Sequence, residues 1–135
     1  MTLQDRLDGL SRGWRGPLLA ALVALIAGLP CVLFMPVVDR DEARFAQASA
    51  QMLESGDYTV IRFQDQPRFK KPVGIYWLQA ASTRVFGGGN DRQIWTYRLP
   101  SLVGAMLAAW ACAWGASAFL RANLATLAGA LMGGT

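Results

Sequence analysis

Two clusters in the sequence carry groups able to bind or activate a substrate. The first is Asp39-Arg40-Asp41-Glu42 with Arg44. A carboxylate at a membrane–water boundary can take a proton from an incoming hydroxyl or amine, or orient it. Asp41 and Arg44, at i and i+3, share a helix face. Asp41 and Glu42 stand about 100° apart around a helix and cannot both face one point squarely. The same residues also suit an ordinary helix start with a solvated charge cluster. The second cluster is Arg68-Phe69-Lys70-Lys71-Pro72. Lysine is a compact cation that serves phosphate well, so this segment suits either a held lipid phosphate or a general attraction to anionic lipids. Tyr76 and Trp77 follow, and their rings can stack on a sugar or anchor at a membrane interface.

The elements that position these clusters are apolar. Pro17–Val38 and Leu99–Leu120 are each 22 residues without a charge. At a rise of about 1.5 Å per residue each reaches about 33 Å, enough to cross a hydrocarbon core of about 30 Å. A third uncharged run, 122–135, is too short to span. The reading is a polytopic all-α membrane protein with five segments. Residues 1–16 form a cytoplasmic lead, 17–38 the first span, 39–98 a periplasmic loop, 99–120 the second span, and 122–135 the start of a truncated third. Arg6, Arg12 and Arg15 place the lead inside. Val37-Val38-Asp39 is not a small-residue cleavage site, so the first run reads as a retained helix rather than a signal peptide.

Of 135 residues, 53% are hydrophobic and 16% charged, against about 25% charged in a soluble domain. The net charge of +4 lies beside the apolar runs, which points to lipid head groups or phosphates rather than nucleic acid. There is no histidine, which removes the commonest general base and zinc ligand. No Cys/His cluster suggests a metal, and a divalent ion held by carboxylates stays open. Cys31 and Cys112 read as buried membrane thiols.

The 60-residue loop holds nine basic and seven acidic residues. Its pattern predicts a helix over 41–55, with Phe45, Ala48, Met52 and Leu53 on one stripe. Asp39, Asp41 and Glu42 complement its N-terminal dipole, and Gly56 is a good C′ residue. An extended segment over 58–63, a turn at 64–66 and a second amphipathic helix over 73–86 follow, broken by Gly87-Gly88-Gly89-Asn90. Gly104, Ala105, Ala108, Ala109, Ala111, Gly115 and Ala116 stud the second span, where small residues let helices approach closely.

Together these features carry a resemblance. An apolar helix is followed by Arg40-Asp41-Glu42-Ala43-Arg44-Phe45-Ala46. Then come Met52-Leu53-Glu54-Ser55-Gly56-Asp57-Tyr58, Phe69-Lys70-Lys71-Pro72 and Tyr76-Trp77-Leu78. The ordered set resembles the N-terminal part of bacterial aminoarabinose transferases and related protein-mannosyltransferase-like membrane glycosyltransferases of the GT-C fold, over about residues 18–120. Where such proteins often carry an aromatic or small polar residue, a Glu and a Tyr, this chain has Arg68, Lys70 and Phe45.

The resemblance implies transfer of a sugar from a polyprenyl-phosphate donor to a lipid or glycan acceptor, such as lipid A, on the periplasmic side of the bacterial inner membrane. It implies Asp41 as the essential acid that engages the acceptor, and Glu42 as the second acid of the catalytic pair. Arg44 and Lys71 then contact the donor phosphate, with Arg68 and Tyr76 as further substrate-binding candidates. It also implies that the chain is an N-terminal fragment of a longer enzyme, inactive alone. The competing reading is a non-catalytic two-span protein that binds anionic lipid or scaffolds a complex.

Overall fold

The chain leaves water as a helix because it offers no side chain that water would hold. In the computed structural model, which describes residues 8–64, 66–67, 72–88 and 93–134, helix α1 runs Arg15–Phe34. A helical turn over residues 8–11 precedes it, and Gly13, at φ 62°, takes the left-handed conformation between the two. The helix stops four residues before the uncharged run does. Pro36 cannot donate a helical hydrogen bond, and it disfavours helical geometry at Met35.

The other elements follow in order. They are α2 (Arg40–Ser55), strands β1 (Arg62–Phe63) and β2 (Gln66–Pro67), α3 (Gly74–Phe86), α4 (Ile94–Ala116) and α5 (Ala122–Gly133). The strands pair antiparallel, Arg62 opposite Pro67 and Phe63 opposite Gln66. Helix α4 begins five residues before the uncharged run. Gln93 starts it, its carbonyl accepting from the Thr96 hydroxyl at 2.8 Å. It ends at Ala116, where the Ser117 hydroxyl takes the Trp114 carbonyl at 2.6 Å and the chain tightens into turns.

The molecule is an all-α membrane protein. Both α1 and α4 are long and apolar enough to cross a membrane. Leu22, Ile26 and Leu33 on α1, and Leu107 and Trp114 on α4, are exposed. A soluble core helix would hide such residues; in a bilayer they meet acyl chains.

Two compact units form, residues 1–31 with 101–135, and residues 32–100. The first is packed by small side chains. Ala20, Ala24, Ala109 and Ala113 form its buried cluster, with Met106 against it. Gly129 and Gly133 let α5 approach that cluster. A Cβ on Gly129 would sit 2.5 Å from the Ala109 carbonyl oxygen and 2.7 Å from the Ala113 Cβ. Small residues four apart on each helix bring the backbones together, the association that works where lipid leaves little hydrophobic drive. Gly104 and Gly115 face open space, whereas Ala109, among the small residues picked out from α4 in the sequence, is fully buried in the contact.

In the second unit α2, β1 and α3 enclose Ala48, Met52, Ile61 and Tyr76, flanked by Phe45, Tyr58, Val73 and Ile75. Of the stripe anticipated on α2, Phe45, Ala48 and Met52 pack here, while Leu53 stays outside this cluster and Ser49 is buried instead.

The packing makes a prediction. Gly129→Val forces side chain against backbone and should destabilise the first unit by about 1–3 kcal/mol, whereas Gly104→Ala should be neutral. Thermal unfolding of the protein in detergent reads both; equal melting temperatures would refute the close α5 contact.

Candidate functional site

Helix α2 begins where its sequence provides a cap. Asp39 is extended (φ −98°, ψ 135°), and its Oδ1 accepts the Asp41 amide at 3.0 Å. That satisfies one of the N–H groups a helix start leaves unpaired. Gly56 closes the other end at φ 69°, donating to the Met52 carbonyl at 3.0 Å. Asp41 and Arg44 come together as their spacing requires, Nη1 to Oδ1 at 3.4 Å, with side chains 55% and 44% exposed. An ion pair so wet is worth about 0–1 kcal/mol. Either partner can leave it for a substrate at little cost.

Glu42 is placed differently. Both its carboxylate oxygens meet Arg98 of α4, Nε to Oε1 and Nη2 to Oε2, the latter at 3.1 Å. The side chains of this pair are only 13% (Arg98) and 30% (Glu42) exposed. Arg98 also donates to the carbonyls of Met35 at 2.6 Å, Pro36 at 3.3 Å and Val32 at 3.4 Å. Sequence reading counted Arg98 only within the charge of the loop. Its one signal was a lone arginine at the margin of an apolar run.

Tyr76 is a core residue, 1% exposed, with its ring centroid 5.2 Å from that of Phe45. A ring so enclosed presents no face for a sugar to stack on. Its neighbour Trp77 is exposed and donates its indole N–H to the Tyr58 carbonyl at 2.8 Å.

Helix α3 carries apolar residues on two faces. Tyr76, Gln79, Ala80 and Thr83 are buried, while Trp77, Leu78 and Val85 face outward. The buried polar groups are paired. Ser49 donates to Gln79 Oε1 at 2.9 Å, and Gln79 Nε2 donates to the Tyr97 carbonyl at 3.2 Å. The hydroxyls of Thr83 and Thr96 meet at 2.9 Å. Since Thr96 gives its one hydroxyl proton to Gln93, Thr83 is the donor.

The β1–β2 hairpin precedes the basic segment. Gln64 sits at φ 57°, a conformation costing a non-glycine residue about 1–2 kcal/mol. The Gln51 side chain meets both of its backbone groups, Gln64 N to Oε1 at 3.0 Å and Nε2 to Gln64 O at 3.3 Å. The hairpin is thereby fastened to α2. Arg68 and Lys71 lie outside the described residues, as do Phe69, Lys70, Gly89 and Asn90.

Asp57 organises the turn before β1. Its Oδ1 accepts the Thr59 hydroxyl at 2.6 Å, the Thr59 amide at 3.0 Å and the Val60 amide at 3.3 Å. These bonds, the Thr59 hydroxyl foremost, hold its carboxyl below the usual carboxylate range.

On the other side of α2 from its core face lies an open groove of about 360 Å³, lined by Val37, Ala43, Ala46, Gln47, Ala50, Ile94 and Tyr97. Ala43 stands between Glu42 and Arg44 in the chain. Among the described residues, no group of three or more His, Cys, Asp or Glu side chains gathers as a metal site would require.

Comparison with known proteins gives partial matches. The undecaprenyl phosphate-α-4-amino-4-deoxy-L-arabinose arabinosyl transferases of Yersinia pestis (strain Pestoides F) and Yersinia pseudotuberculosis (serotype O:1b) are each 42% identical over 76 residues. That stretch is 53% of this chain and 13% of each relative. The transferase of the same name from Enterobacter sp. (strain 638) is 30% identical over 93 residues, 65% of this chain and 17% of its own length. No protein-family model matches the chain, and no solved structure does. The chain is therefore similar, over part of its length, to arabinosyl transferases, and it spans a small share of the length of those relatives.

Two outcomes follow from this geometry. Asp39→Ala removes the cap and should cost about 1 kcal/mol, read as faster amide exchange in the first turn of α2. The Asp57 turn stabilises the folded chain fully above the ordinary carboxylate pKa. That contribution is lost as pH falls through the lower folded value, because the unfolded chain binds the proton first. The Thr59 amide resonance should therefore titrate with a midpoint below the ordinary aspartate value. A midpoint at or above it would contradict the hydrogen-bond assignment.

Proposed function

We propose that this chain is the N-terminal part of a membrane glycosyltransferase that moves a sugar from a polyprenyl-phosphate donor to an acceptor such as lipid A. The observation that carries the reading is the Asp41–Arg44 pair. Asp41 stands exposed on the first turn of a capped helix, seven residues past the end of a membrane-length apolar helix, and Arg44 lies one turn further on. The similarity to arabinosyl transferases supports it, and the name of those relatives gives the donor class, an undecaprenyl-phosphate-linked aminoarabinose.

The chemistry follows from what a polyprenyl phosphate is. The phosphate is already a leaving group, so the protein must hold the donor, neutralise the charge that develops on it and aim the acceptor. A bond forms between an acceptor oxygen and the sugar's anomeric carbon. The bond from that carbon to the phosphate oxygen breaks, and its electron pair leaves with the phosphate. Arg44 and Lys71 are the cations offered to that phosphate, with Arg68 a further candidate. Asp41 orients the acceptor and takes its proton where the acceptor is a hydroxyl.

The layout proposed for this is a cytoplasmic N-terminus, α1 and α4 as spans, and the loop between them on the periplasmic face of the inner membrane. The outward stripe of Trp77, Leu78 and Val85 supports a loop lying along the bilayer, since an apolar face with a paired polar back suits an interface. The alanine-lined groove beside α2 suits the apolar part of a lipid-linked substrate.

The test uses the full-length product of the gene, reconstituted with undecaprenyl-phosphate aminoarabinose and lipid A. Asp41→Asn and Lys71→Ala should each lower transfer by about 10²–10³-fold while membrane insertion is retained. Full activity in both variants would refute the assignment.

A further inference from the structure

We propose that Glu42 works as a positioning residue through Arg98, and that Arg98 fixes the turn that presents Asp41. The inference rests on Asp41 being the group offered to the acceptor, and it adds Arg98 to the residues on which that role depends.

The argument begins with donors. A guanidinium has five N–H groups in a rigid fork. Arg98 meets five acceptors: the Glu42 carboxylate oxygens from Nε and Nη2, the Val32 and Met35 carbonyls from Nη1, and the Pro36 carbonyl from Nη2. With its fork engaged in this way, Arg98 is a structural tie rather than a phosphate clamp. Arg44 differs, because among the described residues Asp41 is its partner, through one nitrogen.

The acceptors are the ones local geometry leaves in need. Val32 lies in the last turn of α1, and Met35 and Pro36 follow it, where carbonyls have no helical N–H to receive. A cation there also complements the negative end of the helix dipole, and Glu42 complements the positive end of α2. One side chain therefore joins the end of α1 to the first turn of α2 across the non-helical stretch 35–39. Asp41 lies between the Asp39 cap and Glu42, so both of its neighbouring anchors are fixed.

A direct catalytic role for Glu42 makes different demands. Its two oxygens would have to leave a bidentate, mostly buried pair to reach a substrate. Asp41 leaves an exposed contact with one nitrogen.

The experiment compares Glu42→Gln, Arg98→Lys and the double variant in the full-length protein, reconstituted with the aminoarabinose donor. A glutamine keeps the shape but turns an N–H donor toward the fork, and a lysine cannot serve five acceptors. Each single variant should lower kcat by about 10²-fold, the cost of a misplacement near 1 Å. Donor KM should stay within about twofold, and the double variant should be no worse than the singles. The acid limb of the pH–rate profile should keep its midpoint in Glu42→Gln. Amide exchange in residues 40–44 should rise in both single variants. Should Arg98→Lys fail to fold, Glu42→Gln decides alone, because it leaves the three carbonyl contacts in place. Loss of the acid limb in Glu42→Gln with amide protection unchanged would overturn the proposal, since Glu42 would then act on the substrate itself. If the unmutated protein transfers no sugar, the glycosyltransferase reading fails separately. Amide exchange then settles the tie, and unchanged protection in both variants would overturn it.

Discussion

Backbone carbonyls at the end of an apolar helix are the constraint on which the second unit depends. Helix α1 ends at Phe34, two residues before Pro36, and its last carbonyls have no helical N–H to receive. Arg98 resolves this with one planar group, accepting no compromise in the number of donors it must place. The remaining part of its fork takes Glu42, so the same side chain that meets these carbonyls also ties the first turn of α2. A lysine in the same place could neutralise the carboxylate but could not pair with the carbonyls as well.

The same unit shows why polarity alone misleads in this setting. Its apolar core is modest: Ala48, Met52, Ile61 and Tyr76 are the buried members. The rest of the contact between α2, α3 and the start of α4 is a ladder of hydrogen bonds through Ser49, Gln79, Thr83 and Thr96. Each rung is paired, which is what keeps buried polar groups from costing stability. With the polar side of α3 turned inward, its tryptophan, leucine and valine turn outward. Such an outward apolar stripe is the kind that marks an interaction surface, and it fits the proposed loop lying along the bilayer.

Much of this was legible in the sequence, and what was not has a physical reason. The start and stop of α2 could be read from Asp39 and Gly56 because caps are local chemistry. The Asp41–Arg44 pair could be read from spacing. The ends of the long helices could not, because uncharged runs report solubility, while Gln93, Ser117 and Pro36 decide where the hydrogen-bond ladder starts and stops. Gly129 and Gly133 were hidden within a run read only as a truncated span, since sequence does not show which small residue meets which helix. Tyr76 had the right neighbourhood for a binding residue, but its position on α3 directs it into the core. Arg98 is 56 residues from Glu42, and no periodicity connects positions so far apart.

The two ion pairs of α2 differ in a way that bears on function. Glu42–Arg98 is bidentate, mostly buried and joined to three carbonyls, so breaking it would leave several groups unpaired at once. Asp41–Arg44 is exposed and held by one contact, so its charges are available to exchange partners. A scaffold that only bound anionic lipid would gain from cations alone and would have no use for an acid presented beside them. Phosphate leaving and acceptor approach need opposite charges at one place, one to receive the departing anion and one to direct the incoming oxygen. On the proposed glycosyltransferase reading, Asp41 and Arg44 are the two charges, on a helix whose first turn is tied to Arg98 through Glu42.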